Sequence, residues 1–452
     1  MLLQSIELLF SDENSAKFGF ICDWKLMIID FTVTNFRSIK EPQTFSYFVS
    51  KAGSILPENV AYPSDKKIGV LKTSAVYGAN ASGKSNLIQA LKALRFIAIN
   101  DINDGDSIPC YEPFLLSSET KNAPVKFEIE FYINSGDRFV YSIAFTRNEV
   151  VEESLYYFKS SSKSLIFDRK AHNTWRDITF GSNYKGGRKQ IAFFSNNSYL
   201  SKAGNTADSP EIVQNVFKYL RRGLIFVAAG SVRSSKKDIK QGSLIEQIAG
   251  MIKHVDTGIE NIDVVESDEI LSNKFINAFP DDIKNQIIED QKTRFMFSHM
   301  TEDGGLEQFH EDEESAGTIA MLNLFPLVMK VFYLGGVLVF DEIERHLHPH
   351  IAEMVIKLFC DPQVNRRNAQ LLFTSHNAQL MSSDQLRRDQ IWFIQKINGA
   401  SKFASLASFD KDMVRPNSPF GEWYSQGRFG AIPKINYLAI AEEIRKGFQK
   451  DA

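Results

Sequence analysis

The sequence has little cysteine and almost no net charge. It carries three widely spaced cysteines in 452 residues, Cys22, Cys110 and Cys360, which form no pair of metal ligands. Such sparse use favours a reducing cytoplasm over a framework of disulfides. The formal net charge is −3, so contact with nucleic acid would have to come from a local basic patch.

Long apolar runs are also lacking. No uninterrupted apolar stretch approaches the length of a membrane span, and Glu7, Asp12 and Glu13 interrupt the layout of a signal peptide. There is no sustained heptad pattern, internal repeat or low-complexity segment. We therefore expect a cytoplasmic globular protein of two or three lobes with no membrane partner.

Residues 78–85 read Gly-Ala-Asn-Ala-Ser-Gly-Lys-Ser, a complete G-x-x-x-x-G-K-S phosphate loop. An apolar run at 74–77 precedes the loop, and a helical pattern at 85–99 follows it. In this context Lys84 is predicted to reach the β- and γ-phosphates of ATP and Ser85 to ligate Mg²⁺. The candidate nucleotide-binding residues here are Gly78, Asn80, Ser82, Gly83, Lys84, Ser85 and Asn86.

A second apolar strand, at 337–340, ends in Asp341 and Glu342. This pattern suits a buried strand that delivers acids to a phosphate site. Asp341 is predicted to hold Mg²⁺, and Glu342 to deprotonate the attacking water. An ordinary core strand ending in surface acids is the alternative, but the phosphate loop in the same chain favours the functional interpretation.

Histidines follow these acids. His376 comes after the apolar run 370–375 and is a candidate sensor of the γ-phosphate, the alternative being a polar cap of the strand. His346, His348 and His350 do not have the spacing of a tetrahedral zinc site, so we predict no zinc there.

A second anion-binding helix start is found at Ser315 and Gly317, before a long apolar helix at 319–334. Because one chain needs only one phosphate loop, this end could serve a nucleotide held by another copy. The alternative is a simple helix cap, which would be the preferred interpretation of these residues taken alone.

The rest of the chain divides by pattern into four predicted regions. Residues 1–26 form an N-terminal extension, interpreted equally well as an upstream translation start or as a small extra element. Residues 27–190 form an N-terminal ATPase lobe, with a strand at 28–33 and an antiparallel hairpin at 126–145 followed by short strands at 155–158, 165–168 and 175–180. Residues 191–300 are a mainly helical insertion, with helices predicted at 211–220 and 243–252, and 301–452 form a C-terminal ATPase lobe. The predicted fold class is α/β.

The order of motifs resembles the ABC-type ATPase heads of the SMC/RecF/OLD branch, and within it the AAA proteins grouped with RloA and the phage abortive-infection ATPase AbiL. The resemblance spans residues 27–438 and is carried by residues 35–38, 78–86, 314–318, 340–344, 347–349 and 374–377, with further matches at 388–392 and 424–433. Two departures point away from transporter ATPases: Glu-Ser-Ala-Gly-Thr stands where transporters have Leu-Ser-Gly-Gly-Gln, and His348 stands where they have Asp.

The resemblance implies a composite site between two copies. ATP would be sandwiched head to head, with Ser315 and Gly317 of one copy contacting the γ-phosphate bound by Lys84 of the other. Glu342 would be the hydrolytic base and His376 the γ-phosphate switch. Arg37 would approach the nucleotide phosphates. The glutamine that usually completes the Mg²⁺ site is not evident, and 108–116 is the region where its loop is expected.

Two functions follow from this resemblance. The first is an ATP-hydrolysing switch of an anti-phage, abortive-infection system, which responds to a DNA or phage trigger and gates a separate effector such as a TOPRIM-like or RloB-like nuclease. Only 76 residues follow His376, too few for a fused TOPRIM domain, and Asp410-Lys411-Asp412 is interpreted as a solvated turn.

The alternative is a DNA-repair or recombination ATPase that binds DNA itself through basic clusters at 185–189, 221–222 and 233–237. Taken alone, each cluster is better interpreted as a solvated face, since runs of charge usually mark one. A transporter ATPase is disfavoured by the departures from the transporter signature.

Overall fold

The computed structural model describes residues 26–49, 55–63, 68–133, 136–159, 162–170, 175–227, 236, 239, 244–255, 258–266, 293–345, 347–410, 414–433 and 436–450. The predicted extension at 1–26 lies outside these residues apart from Leu26. Lys411 and Asp412 of the predicted solvated turn also lie outside them.

The strands of the described residues are, in chain order, β1 (Leu26–Thr34), β2 (Gln43–Ser46), β3 (Val60–Ala61), β4 (Val70–Leu71), β5 (Thr73–Tyr77), β6 (Val125–Ile133), β7 (Asp137–Phe145), β8 (Val150–Lys159), β9 (Ser162–Arg169), β10 (Thr179–Phe180), β11 (Leu224–Val227), β12 (Ile259–Glu266), β13 (Thr293–Met300), β14 (Leu306–His310), β15 (Val337–Phe340), β16 (Gln370–Ser375), β17 (Ile391–Ile397) and β18 (Ala400–Ser405).

The α-helices are α1 (Lys84–Ile99), α2 (Tyr199–Ala203), α3 (Glu211–Arg222), α4 (Leu244–Lys253), α5 (Ala316–Leu334), α6 (Pro349–Cys360), α7 (Phe420–Ser425) and α8 (Tyr437–Lys450). Strands and helices mix along the chain, and the predicted α/β class is confirmed.

A six-stranded sheet, in the order β11-β15-β16-β5-β17-β18, forms the centre of the molecule. Its first five strands are parallel, and β18 returns antiparallel to β17 through a tight turn at Asn398 and Gly399. In a parallel sheet the carboxyl ends of the strands meet at one edge. The chain therefore leaves β5, β16 and β15 on the same side, at Gly78, His376 and Asp341.

Both faces of the central sheet are buried. Along each strand alternate side chains enter different cores: Val76 and Leu372 enter the core shared with β1, β6 and α1, whereas Tyr77 and Phe373 enter the core shared with α5 and α6. This explains the continuous apolar runs of the strands, because burial on both faces leaves no polar alternation.

The second large sheet is antiparallel, with seven strands in the order β10-β9-β8-β7-β6-β1-β2. It contains the predicted hairpin as β6 and β7, whose register runs from Val125 opposite Phe145 to Ile133 opposite Asp137. The strand expected at 175–180 is shorter than predicted, since only Thr179–Phe180 pairs with β9.

The segment predicted as mainly helical contains α2, α3 and α4, and it also contains strands. β11 joins the central sheet, while β12 and β13 form a small antiparallel sheet with β14. The alternation along β12 is weak because only Ile259 and Ile262 are buried, which explains why the pattern did not reveal the strand.

Of the helices in the described residues, α5 alone is long and apolar enough to span a membrane by length and composition. Half of its apolar window is buried, and its buried residues, such as Leu324 and Phe325, belong to the core beneath the central sheet. A core helix meets the same criteria of length and composition.

Candidate active site

The phosphate loop turns sharply between β5 and α1, and two of its positions require glycine. A Cβ atom on Gly78 would lie 2.4 Å from the carbonyl oxygen of Ile394. Gly83 has φ +113°, and a Cβ atom there would lie 2.2 Å from Ser401 Oγ. Since side chains are excluded at both positions, the backbone of the loop can approach a phosphate chain closely.

Lys84 lies across this loop and is almost fully buried. Its Nζ donates hydrogen bonds to the carbonyl oxygens of Gly78 (2.9 Å) and Ala79 (3.2 Å). Burial lowers the pKa of Lys84 to about 8, although the nearby acids Glu342, Asp341 and Glu344 raise it. An anionic ligand at the loop would favour the protonated ammonium.

Ser85, Asp341 and Thr374 meet at the base of the site. Ser85 Oγ donates to Asp341 Oδ1 over 3.3 Å, and Thr374 Oγ1 donates to the same oxygen over 2.6 Å. The pair predicted to hold Mg²⁺ is thus brought together from the start of α1 and the end of β15. A hydroxyl and a carboxylate are oxygen donors of the kind that Mg²⁺ prefers, so the residues present fit the ion.

Glu342 follows Asp341 in a strained backbone conformation, with φ 54°. Its backbone N–H donates to Thr374 Oγ1 over 2.8 Å, and its carboxylate accepts from the guanidinium of Arg345 over 3.2 Å. Thr374 therefore fixes the positions of both acids, one through the side chain and one through the main chain.

His376 is held at its backbone. The N–H of His376 donates to Glu344 Oε1 over 2.5 Å. Burial lowers the pKa of the imidazole, and the positive charge of Lys84 lowers it further, so the neutral ring is favoured in this position. A neutral imidazole can still donate one N–H to a phosphate oxygen.

A cavity of about 620 Å³ opens above these residues. Two predicted catalytic residues, Glu342 and His376, line it together with the start of the phosphate loop. Its lining residues are Gly78, Ala79, Asn80, Glu342, Glu344, Arg345, His376, Tyr424, Ile432 and Pro433.

A chain of hydroxyl and amide groups ties the loop to distant parts of the sequence. Asn86 Nδ2 donates to Ser38 Oγ over 2.6 Å, and Ser38 Oγ lies 2.7 Å from Ser401 Oγ. Ser401 in turn donates to the carbonyl oxygen of Ser82 over 2.6 Å. Nothing in the sequence around Ser401 predicted this role, because the contact depends on the return of β18 beside the loop.

Arg37 lies on the turn after β1 with φ 50°. Its guanidinium forms a bidentate salt bridge with the carboxylate of Glu112, at 2.6 and 3.0 Å. The same guanidinium lies 3.5 Å from Asn86 Oδ1. The arginine predicted to approach the phosphates is thus near the start of α1. Glu112 lies in the segment 108–116, where the loop with the glutamine of the Mg²⁺ site is expected. In the structure this segment supplies the partner of Arg37.

Ser315 and Gly317 lie apart from this cavity and do not line it. Ser315 is exposed and caps α5, its Oγ accepting from the N–H of Thr318 over 3.1 Å. A Cβ atom on Gly317 would meet only Ser315 Oγ, at 3.7 Å. Within one chain Ser315 and Gly317 therefore lie at an open helix start.

The neighbouring histidines have local structural contacts. His348 caps α6 by accepting from the N–H of His350 over 3.3 Å, and His346 lies outside the described residues. Across the part of the chain that the structure describes, no group of three or more His, Cys, Asp or Glu side chains is arranged to hold a metal ion.

Comparison with known protein families identifies the family of this chain. The profile described as "AAA domain, putative AbiEii toxin, Type IV TA system" matches residues 74–382, about two thirds of the chain. The chain belongs to this AAA family. The matched segment contains the phosphate loop, Asp341, Glu342 and His376.

Three solved structures are similar to the AAA chain at low sequence identity. The SMC head domain from Thermotoga maritima is 13% identical, with a TM-score of 0.38 over 84% of this chain and 98% of that chain. The SMC head of Pyrococcus furiosus bound to the C-terminal domain of ScpA is 11% identical, with a TM-score of 0.38 over 86% and 98%. The ATP complex of the recombination mediator RecF is 12% identical, with a TM-score of 0.36 over 84% and 98%. No curated protein matches the chain.

Proposed function

We propose that the protein is an ATP-hydrolysing switch whose site is completed by a second copy of the same chain. The observation that carries the proposal is the convergence of Lys84, Asp341, Glu342 and His376 at the carboxyl edge of three neighbouring strands. AAA-family membership supports ATP as the ligand.

Each residue has a role that its position supports. Lys84 and the amides of the loop would bind the β- and γ-phosphates, and Asn86 and Arg37 would flank them. Ser85 and Asp341 would hold Mg²⁺, which when bound neutralises charge on the phosphate oxygens. Glu342 would accept a proton from the attacking water, and His376 would donate to the γ-phosphate.

The sandwich with a second copy is favoured by the exposed start of α5. Ser315 and Gly317 present a helix N-terminus to solvent, while the cavity over the phosphate loop is open. A helix N-terminus attracts phosphate, so a partner's α5 could close the cavity over a bound γ-phosphate. ATP would then stabilise the closed dimer and hydrolysis would release it.

In the cell we place this switch in the cytoplasm, as the ATPase of an anti-phage, abortive-infection system close to the RloA and AbiL group. A DNA or phage trigger would act on it, and a separate nuclease of the TOPRIM-like or RloB-like kind would be gated by it. The AAA family is described by a putative toxin of a type IV toxin–antitoxin system, which supports a role in which the ATPase controls a harmful activity.

A repair or recombination ATPase that binds DNA directly is the second candidate. The loop at 185–189 carries Lys185, Arg188 and Lys189 in exposed positions, which favours a contact with phosphates. In contrast, Lys236 of the cluster at 233–237 is bound to Glu311 and to the carbonyl oxygen of Thr293. ATPase activity that rises with added DNA, and no longer does so in a variant with Arg188 and Lys189 changed to alanine, would favour this function.

The shared site is tested by mixing two inactive variants. Lys84→Ala removes the side chain that binds the β- and γ-phosphates. Gly317→Arg blocks the start of α5 and leaves the Ser315 cap in place. A mixed dimer has one intact composite site of two, so ATPase activity should return on mixing, to as much as half of the wild-type value for each mixed dimer. If each variant is inactive alone and the mixture stays inactive, the composite site is wrong.

The mass of the assembly in solution tests whether ATP closes the dimer. Glu342→Gln should bind ATP without hydrolysing it and should have the mass of a dimer or larger assembly in ATP, but not in ADP. Glu119→Gln changes an exposed acid outside the cavity and should behave as wild type. An unchanged mass of Glu342→Gln in ATP would contradict the switch.

A further inference from the structure

Tyr77, the last residue of β5, is fully buried beneath the phosphate loop. Its ring lies 5.8 Å from that of Tyr424, yet its hydroxyl makes no hydrogen bond with any group in the described part of the chain. A buried hydroxyl without a partner is costly, and a phenylalanine would fill the same space without that cost. The hydroxyl therefore requires an explanation.

Glu344 has an unpaired oxygen close to the same place. Its Oε1 accepts from the backbone N–H of His376, whereas its Oε2 is buried and has no donor among the described residues. The carboxylate follows β15 and bonds to the residue that follows β16, so it links two neighbouring strand ends. A donor for Oε2 would fix the carboxylate, and with it the position of His376.

The central sheet brings Tyr77, whose hydroxyl is an unpaired donor, and Glu344, whose Oε2 is an unpaired acceptor, to the carboxyl edge of its strands. Tyr77 of β5 is the register partner of Ser375 of β16, and His376 comes next in the chain. Burial raises the pKa of Tyr77 well above its ordinary value, and the negative charge of Glu344 is the next cause. Tyr77 thus stays protonated and remains a hydrogen-bond donor near the carboxylate.

We propose that Tyr77 and Glu344 are positioning residues for His376, and that the Tyr77 hydroxyl donates to Glu344 Oε2 when nucleotide occupies the loop. Tyr77 directly precedes Gly78, so a movement of the loop around phosphate would move its ring. The new bond would hold Glu344, and Glu344 would hold the backbone of His376 against the γ-phosphate. This inference rests on the proposed ATPase function and adds a link between the loop and the sensor.

A double-mutant cycle of ATP hydrolysis tests the pair. Tyr77→Phe should lower kcat about five-fold, the effect of one net hydrogen bond, and leave the KM for ATP within about two-fold of wild type. Glu344→Ala should lower kcat further, because the acceptor of the His376 N–H is also lost. The double variant should be no slower than Glu344→Ala, since the hydroxyl would then have nothing to bind.

Thermal unfolding separates positioning from simple stability. Because its hydroxyl is unpaired without nucleotide, Tyr77→Phe should unfold at the wild-type temperature or above it. Tyr47→Phe is the matched control: Tyr47 is also fully buried with an unpaired hydroxyl, and it does not line the cavity. Its kcat should equal that of wild type.

The outcomes that overturn the pair are distinct from failure of the proposed function. Wild-type kcat in Tyr77→Phe, additive losses in the double variant, an equal loss in Tyr47→Phe, or a fall in unfolding temperature that parallels kcat would each overturn the Tyr77–Glu344 pair alone. A wild-type protein without ATPase activity would overturn both the pair and the proposed function.

Discussion

Thr374 donates its hydroxyl hydrogen to Asp341 Oδ1 over 2.6 Å, and the same hydroxyl oxygen accepts the N–H of Glu342. One buried side chain on β16 therefore positions both acids that follow β15. The sequence had identified the two acids, but their shared support comes from the neighbouring strand.

Thr374→Val tests the hydrogen bonds of the Thr374 hydroxyl without changing the volume of the side chain, because valine has nearly the same shape and lacks the hydroxyl. Asp341 and the Glu342 N–H would each lose a partner, so we expect a loss of about 1–3 kcal/mol in the free energy of unfolding. We also expect kcat for ATP to fall roughly 10-fold or more, as both acids shift. Thr374→Ser, which keeps the hydroxyl, should retain most of the activity. Equal activity of the two variants would contradict the support role.

The pKa of Lys84, about 8, predicts how ATP binding depends on pH. Because phosphates favour the ammonium, binding above that pKa must take up a proton. The Kd for ATP should therefore be flat below about pH 8 and rise above it, by up to about ten-fold per pH unit. Titration calorimetry at several pH values measures this. Lys84→Arg stays charged, so any binding it retains should show no such rise; the same slope in both proteins would assign the effect to another group.

Gly83→Ala should disrupt the phosphate loop. Its positive φ and the 2.2 Å approach to Ser401 Oγ leave no room for a methyl group, so we expect a loss of roughly 1–3 kcal/mol in stability and of most ATP binding. Gly250→Ala is the matched control, since Gly250 lies inside α4 and a Cβ atom there meets nothing within 4 Å. Its stability should equal or exceed wild type by up to about 1 kcal/mol. Tight ATP binding by Gly83→Ala would contradict the assignment of the loop.

Arg37 is held by Glu112 in the structure, so a phosphate must compete with that carboxylate. Arg37→Ala should weaken ATP binding several-fold, because a charge-assisted contact is lost. Glu112→Ala should bind ATP as well as wild type or more tightly, since the arginine is released while the backbone bond between residues 37 and 112 remains. Opposite effects of the two variants on Kd are expected at low ionic strength. Weaker binding in both would mean that Glu112 orients Arg37 for the phosphates.

Much of the architecture could be predicted from local patterns. The hairpin of β6 and β7, the helix after the phosphate loop and the apolar strands β15 and β16 were found because their periodicity or motif is contained within a short window. The strands of the segment 191–300 were not predicted, because β11 is short and β12 is only partly buried. Their pairing with β15 and β13 is a long-range property.

The sequence by itself determined the chemistry that is available: a complete phosphate loop, two acids at a strand end, and a histidine at another. It determined these because each motif depends on residues that are close in the chain. Only the tertiary structure decided which of them meet. The parallel register of β15, β16 and β5 brings Asp341, Thr374 and Tyr77 to one edge, and β18 carries Ser401 to the loop over 300 residues away in sequence. Such contacts form because buried strands pack in one register, and no short stretch of sequence contains that information.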